Sequence, residues 1–483
     1  MRHALANLVF ASTALAGCSL LYNPNDLPKQ ADAMPDMEQI VDANPAALAI
    51  TGVGPIKLLE GQGDGNSRKP VLVIEGTDIS QTGVTVEIVA SAGAAKVPMI
   101  TLDTANMQVD VYGHHIAIPI TAMVDPALGP SDVIPLDVKV TQDAGGTPVS
   151  QTLSGILTLE GLAEYTNTDT TTPALIAGVN RFSRVNLTMG SFPAPPSGPV
   201  LIEATSSINI AAASTSSFDA NLQTPGPGGF GGGAGAATGL GIAPGGMGMG
   251  EAGGVGVAGG AGMPAGEYEG DDQLTTIDVM QKRANASSGG AGGGVTTTSL
   301  VKGGPGGGGG GTVSITAGGD IAILGAITAK GAAGSGGGFP GGAGSGGIIL
   351  VRGGGDVSTA TLDVTSTGGP AGRIRVDAGG VRTVAGTAYR GPTFVNLPLI
   401  FNEEKPTFEV QGEPSKGIRY IVIRGSDIEG PVDLTMGSNG RAMITLQNPL
   451  AQGINEICLL VEGAAAATYT RNCATVAHIF KMP

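Results

Sequence analysis

The sequence predicts an all-β chain, with a β-sandwich at each end and a glycine-rich stack of strands between them. Three observations predict it. Short runs with two-residue apolar alternation recur every 8–12 residues, broken by Gly, Pro, Asn and Asp. No window sustains a 3.6-residue apolar period, so helix is scarce. Glycine makes up 83 of 483 residues, more than twice the usual ~7%. At ~100–200 residues per domain the length suits three or four units. Lys+Arg 25 against Asp+Glu 40 gives a net charge of −15, which excludes a nucleic-acid binder resting on a basic face.

Residues 1–17 hold one basic residue, Arg2, followed by an uncharged apolar run from Ala4 to Gly17. That is the layout of a secretory signal, and it is too short for a bilayer span of ~20 residues. Leu15-Ala16-Gly17-Cys18 resembles the lipobox of bacterial lipoproteins. The resemblance implies cleavage before Cys18 and acylation of that cysteine, which anchors the chain to a membrane through lipid. Ser19 in place of Asp implies, by analogy with lipoprotein sorting, the outer membrane, facing the periplasm or the cell surface. A net-acid surface is repelled by anionic headgroups, so lipid and not charge holds such a protein.

Residues 18–46 are Pro-, Asn- and Asp-rich, with Asp26, Asp32, Asp36, Glu38 and Asp42 against Lys29. Such a stretch buries too little apolar surface to order itself and reads as a tether. Residues 47–165 then carry Val71-Leu72-Val73-Ile74, Val84-Thr85-Val86-Glu87-Ile88, Met99-Ile100-Thr101-Leu102 and Leu136-Asp137-Val138-Lys139-Val140, the pattern of a sandwich. The other end of the chain matches it. Val71–Ile79 aligns with Tyr420–Ile428, and Met99–Leu102 with Met443–Leu446, at separations of 349 and 344 residues. Residues 397–483 are therefore expected to be a second copy. Both copies resemble bacterial Ig-like modules of the IPT/TIG type, in which an apolar strand ends in Gly-x-Asn/Asp-apolar. The resemblance implies an Ig-like β-sandwich and no particular activity.

Residues 166–396 hold the glycine-rich unit; 221–350 alone contain 47 of the 83 glycines. Val313-x-Ile315-x-Ala317-Gly318-Gly319-Asp320-Ile321 recurs 36 residues later as Ile349-x-Val351-x-Gly353-Gly354-Gly355-Asp356-Val357. Fainter copies run through Val200, Ile202, Ala204, Ile208 and Ile210, and through Ile374, Val376, Ala378 and Val381. One such coil cannot bury its inward side chains alone, whereas stacked coils bury one another's. The pattern resembles a right-handed parallel β-helix, with four legible coils. Residues 224–310 read either as polyglycine without order or as glycine-rich helices packed in layers.

Asp320 and Asp356 share a repeat position, so in stacked coils they lie ~4.8 Å apart. The β-helix resemblance implies two uses, a shared cation or an acid/base pair as in polysaccharide lyases, with Arg352 the nearby cation. The structural alternative is an Asx turn in which each Asp caps its own backbone. Glu267, Glu269, Asp271 and Asp272 form an acidic cluster of the kind Ca2+ favours, as do the acids of Glu60–Asn66, but neither spacing matches a known loop. His114 and His115 are adjacent, so on a strand they face opposite ways and cannot clasp one metal; His478 stands alone. Cys458 and Cys473 flank a hairpin whose midpoint falls near residue 465–466. In an exported chain that placement predicts a cross-strand disulfide, with two free buried thiols as the alternative.

The functional expectation is a lipid-anchored envelope scaffold that acts through protein contacts, without catalysis and without a resident cofactor. The alternative is a β-helix adhesin or a polysaccharide-degrading enzyme with a cation-assisted Asp site. Against sugar recognition, the chain has no Trp, and 198–381 contain only Phe218, Phe230, Tyr268 and Phe339 as aromatic residues.

Overall fold

A computed structural model describes residues 48–130, 132–143, 146–166, 174–193, 198–222, 224–227, 306–334, 343–369, 371–461 and 472–480. The signal segment, Cys18, the tether and the cluster Glu267, Glu269, Asp271 and Asp272 lie outside them. Among the described residues the chain is all-β, and helix is confined to a 3-10 turn at Thr104–Asn106.

The first unit comprises β1 (Ala49–Gly54), β2 (Lys57–Leu59), β3 (Val71–Thr77), β4 (Val84–Ala90), β5 (Ile100–Leu102), β6 (Gln108–Val109), β7 (His115–Ala122), β8 (Val133–Asp143) and β9 (Pro148–Glu160). They form two sheets, ordered β1-β3-β7-β5 and β2-β9-β8-β4. This is the ABED-facing-GFC arrangement of an Ig-like sandwich. Alternate residues of both sheets, among them Leu72, Ile74, Ile116, Ile118, Val86, Leu136, Val138 and Leu157, enclose one core.

The middle unit starts earlier than its glycine content suggests. Tyr165 belongs to its core, where it packs edge-on against Phe182 at 5.0 Å. Its strands are β10 (Tyr165–Thr166), β11 (Gly178–Phe182), β12 (Val185–Leu187), β13 (Val200–Ala204), β14 (Ile208–Ile210), β15 (Thr215–Ser217), β16 (Thr312–Ala317), β17 (Ile321–Thr328), β18 (Ile348–Gly353), β19 (Val357–Asp363), β20 (Arg373–Ala378) and β21 (Arg382–Val384). Apart from β15, which follows β14 in the same sheet and pairs with β17, successive strands alternate between two parallel sheets, β10-β12-β14-β17-β19-β21 and β11-β13-β16-β18-β20. The repeated lines lie in register. Val313 and Ile315 pair with Ile349 and Val351, which pair with Ile374 and Val376. Val200 and Ile202 pair with Val313 and Ile315. Inward Val and Ile rows from both sheets form the core, as parallel strands buried on one face require.

Glycine supplies the rest of the coil wall. Residues 306–311 and 343–347 lie outside any strand and are buried throughout. They hydrogen-bond to neighbouring segments, Gly310 N–H to Ser345 O at 2.9 Å and Gly347 N–H to Ala329 O at 2.8 Å. Backbones approach so closely that a Cβ on Gly346 would overlap the carbonyl of Val364. Of the two readings held for 224–310, its described end, 306–310, is packed glycine chain; 228–305 lie outside the described residues.

The last unit comprises β22 (Thr393–Val395), β23 (Ile400–Phe401), β24 (Thr407–Gln411), β25 (Gly417–Arg424), β26 (Asp427–Thr435), β27 (Arg441–Thr445), β28 (Gly453–Val461) and β29 (Asn472–His478). It begins at β22, a few residues before the expected 397, because β22 pairs with β24. Its sheets are β22-β24-β27 and β23-β29-β28-β25-β26. Both sandwiches place a parallel pair at the same point, β2 with β9 and β23 with β29. The two sandwiches therefore share a topology, and their strands correspond in a different alignment from the one the sequence suggested. β3 corresponds to β24, so Pro70-Val71-Leu72-Val73-Ile74-Glu75-Gly76 matches Pro406-Thr407-Phe408-Glu409-Val410-Gln411-Gly412. The matched Met-Ile-Thr-Leu tetrapeptides fall on non-equivalent strands, since β5 pairs with β7 whereas β27 pairs with β24.

The two sandwiches pack on each other. Val71, Val73 and Ala117 of the first form a shared apolar cluster with Ile454, Ala477 and Ile479 of the last. That explains the apolar run of β3, which is buried on both faces; the second face of β28, with Cys458 and Leu460, is covered by Tyr389, Ile421 and Ile423.

Candidate functional site

The strongest sequence candidates sit where the coils turn. Asp320 ends the Gly318-Gly319 turn between β16 and β17, and Asp356 ends the equivalent turn one coil on. Asp320 Oδ1 accepts the backbone N–H of Asp356 at 2.7 Å, and Asp356 Oδ1 accepts that of Val381 at 2.7 Å. Asp320 Oδ2 accepts the side-chain amide of Asn66 at 2.6 Å. Each carboxylate thus caps the next coil, where an Asx turn would have capped its own. The glycine before each receiving position follows from this: a Cβ on Gly355 would occupy the place of Asp320 Oδ1.

The Glu60–Asn66 loop is the other acidic candidate, and it clamps the first sandwich to the coils. Glu60 accepts backbone N–H groups from Asp125 and Leu162, both at 2.8 Å. Burial raises its pKa; those two N–H groups pull it down, and the charges of Asp125 and Glu164 push it up. Thr205 donates its hydroxyl to Glu60 O, and Arg184 Nη2 lies 3.2 Å from Asp64 Oδ2. Four acceptor oxygens of this loop, Glu60 Oε1, Oε2 and O and Asp64 Oδ2, are thus taken by protein donors.

A buried charge cluster that sequence reading missed lies on the last coils. Asp377, at the end of β20, is fully buried. Its Oδ1 accepts Arg375 Nε at 2.9 Å and Gly391 N–H at 2.7 Å; its Oδ2 lies 2.8 Å from Arg375 Nη2 and 3.3 Å from Arg352 Nε. Burial pushes the carboxyl up, but the charges of Arg375 and Arg352, with the hydrogen bonds, outweigh it and hold the pKa below the usual range. Arg352, the expected partner of Asp320 and Asp356, is committed here instead. The signal was the alternation Arg373-x-Arg375-x-Asp377, which puts three charges on one face of a strand. The adjoining Thr393 hydroxyl and Gln411 amide both donate to Ala378 O, at 2.8 and 3.0 Å, and close the stack onto the last sandwich.

The histidines take structural places. His115 Nδ1 lies 2.9 Å from Asp110 Oδ2, and the buried Asp110 also accepts Gln452 Nε2 from the last sandwich at 2.5 Å. His114 stacks on Tyr112, whose ring meets Phe480 at 6.1 Å. His478 is buried against Phe480. Nearby, Arg68 spans the two sandwiches, donating to Leu397 O at 2.7 Å, Pro398 O at 3.0 Å and Thr475 O at 3.2 Å. Burial lowers its pKa to about 10.

Cys458 and Cys473 are directly opposite in the β28–β29 register and form a disulfide. Glu456 lies beside them. Among the described residues this trio is the one group whose ligand atoms converge as a metal site would require, and its two sulfurs are consumed by the disulfide.

No protein-family model and no curated protein matches the chain. Among solved structures it is similar to the protocadherin GammaB4 extracellular domain, at 10% identity and a TM-score of 0.17, over 91% of this chain. The match spans 52% of that chain, about half its length.

Proposed function

We propose that this protein is a lipid-anchored scaffold of the cell envelope, held in the outer membrane through Cys18 and acting through contacts with other envelope proteins, without catalysis. One observation carries the non-catalytic part. Asp320 and Asp356 accept main-chain donors from the next coil, Asp377 accepts Gly391 N–H beside its arginines, and Glu60 accepts the main chain of Asp125 and Leu162, so the carboxylates best placed for chemistry serve the architecture. A catalytic acid or base needs a lone pair or proton turned toward substrate. The anchor reading is supported by the Leu15-Ala16-Gly17-Cys18 motif directly after an apolar run. Stable attachment takes two acyl signals, which the lipoprotein modification supplies.

The test pairs fractionation with affinity capture. Cys18→Ala moves the protein from membrane to soluble fractions; unchanged fractionation refutes the anchor. Capture from detergent-solubilised membranes yields a reproducible stoichiometric envelope partner, and release of unsaturated uronides from polysaccharide by the purified protein refutes the non-catalytic reading.

A further inference from the structure

β4 forms the outer edge of its sheet and, among the described residues, pairs with β8 alone. Ser91 N–H donates to Pro135 O at 2.9 Å in the same register, so the main-chain groups of Thr85, Glu87 and Val89 face β8. By alternation, those of Val84, Val86, Ile88 and Ala90 face away from β8. The strand reads Val-Thr-Val-Glu-Ile-Val-Ala, with neither Pro nor Gly, so of the usual edge defences it carries a single charge, Glu87. The edge strand β1 of the facing sheet contrasts with it: Gln151 closes the main chain of Ile50 there, donating to its O and accepting from its N–H.

The last sandwich shows what covers this position. The equivalent of β4 is β25, and its outer edge carries an antiparallel strand, β26. Val432 and Leu434 of β26 lie opposite Tyr420 and Ile418 and pack on the core, while Asp433 pairs with Arg419 Nε at 2.6 Å on the outer face. On the first sandwich that flank is left with Ile88 and Ile100 half-buried and Val97 79% exposed.

We infer that the β4 edge is a strand-addition site for an antiparallel β-strand of a partner protein, with apolar residues opposite Val84, Val86 and Ile88 and a basic residue opposite Glu87. This deepens the scaffold reading and rests on it, because it names the surface through which contact occurs. Strand addition draws affinity from main-chain hydrogen bonds and specificity from alternate side chains. Charge selects the occupant. Glu87 is 57% exposed on the outer face, where Lys139 of β8 lies 3.0 Å from it on one side and the open edge leaves its other side to a basic residue of the added strand; opposite charges across a strand pair stabilise it whereas like charges oppose it. A second copy of this chain is disfavoured for the same reason: Glu87 is the midpoint of β4, so antiparallel self-pairing sets Glu87 against its own copy.

The probe is a synthetic peptide, Thr-Val-Thr-Val-Lys-Val-Thr-Val-Thr, titrated into the full mature chain and read by fluorescence anisotropy. Saturable binding is expected, weaker by about fivefold for the same peptide with Glu at its centre. Glu87→Lys reverses that preference, and Val89→Lys, at an exposed outer position, weakens both peptides while leaving thermal unfolding unchanged. Absence of saturable binding, or equal binding of both peptides by the wild type and Glu87→Lys, overturns the inference. Capture of an envelope partner equally well by wild type and Val89→Lys overturns it too, while leaving the scaffold reading in place. Peptide binding with the charge preference but no envelope partner keeps the edge and removes the scaffold reading.

Discussion

The carboxylate of Asp320 accepts the main-chain N–H of Asp356, 36 residues further along the chain and one coil away, at 2.7 Å. Asp356 repeats the contact with Val381. Two acids that share a repeat position are thus consecutive rungs of a capping ladder, and each one stitches its coil to the next.

Removing a rung costs stability and nothing else. Asp320→Ala is expected to destabilise the coils by about 1 kcal/mol, since a charge-assisted bond at a half-exposed turn is lost. Asp320→Asn keeps an acceptor and stays near wild type. Gly355→Ala is worse than either, because its Cβ competes with the Asp320 oxygen for one position. Urea unfolding curves rank the three; added Ca2+ leaves the ranking unchanged.

Asp377 is a stricter case. Asp377→Ala leaves Arg375 and Arg352 without their shared carboxylate in a buried setting, and breaking such a pair costs ~3–5 kcal/mol. Replacing Arg375, Arg352 and Asp377 together by apolar residues of similar volume recovers much of the loss. Chemical denaturation of the single and triple variants measures the difference.

The disulfide closes a loop of 15 residues and is worth ~3 kcal/mol. Cys458→Ala with Cys473→Ala is expected to lower the unfolding free energy by that amount. Mass spectrometry under non-reducing conditions finds the two cysteines joined in the native protein; alkylated thiols there refute the pairing.

His478 gives stability a pH dependence. Burial lowers its pKa below the usual value near 6.5, and the carbonyls of Ala451 and Leu450 and the charge of Glu404 pull weakly the other way. The unfolded chain therefore takes up a proton at a higher pH than the folded one. The contribution of the neutral ring is whole above about pH 6.5 and declines as pH falls toward the lowered folded value. Unfolding followed between pH 8 and 5 shows this slope in the wild type, and His478→Phe flattens it. Asp377, with its pKa held below the usual carboxylate range, acts only at more acidic pH.

Much of the architecture was legible in the sequence because strands announce themselves locally. Alternation located the core rows, and the repeat at Val313 and Ile349 located partners lying in register. The hairpin arithmetic placed Cys458 opposite Cys473. The likeness of the two ends was legible too, but an identical Met-Ile-Thr-Leu tetrapeptide drew the alignment to non-equivalent strands. The Pro-x-apolar-x-apolar-x-Gly pattern shared by β3 and β24 was the truer guide, because it encodes one buried face and one turn.

What the linear chain determined by itself is the set of strands, their inward faces and the coil period, since each depends on side chains two residues or one repeat apart. Tertiary structure alone decided the partners of the polar groups. Asp377 meets Arg352 across 25 residues, Asn66 meets Asp320 across 254, and Arg68 meets Leu397 across 329. A lone charge must find a counterpart wherever folding happens to bring one, and no periodicity records that distance.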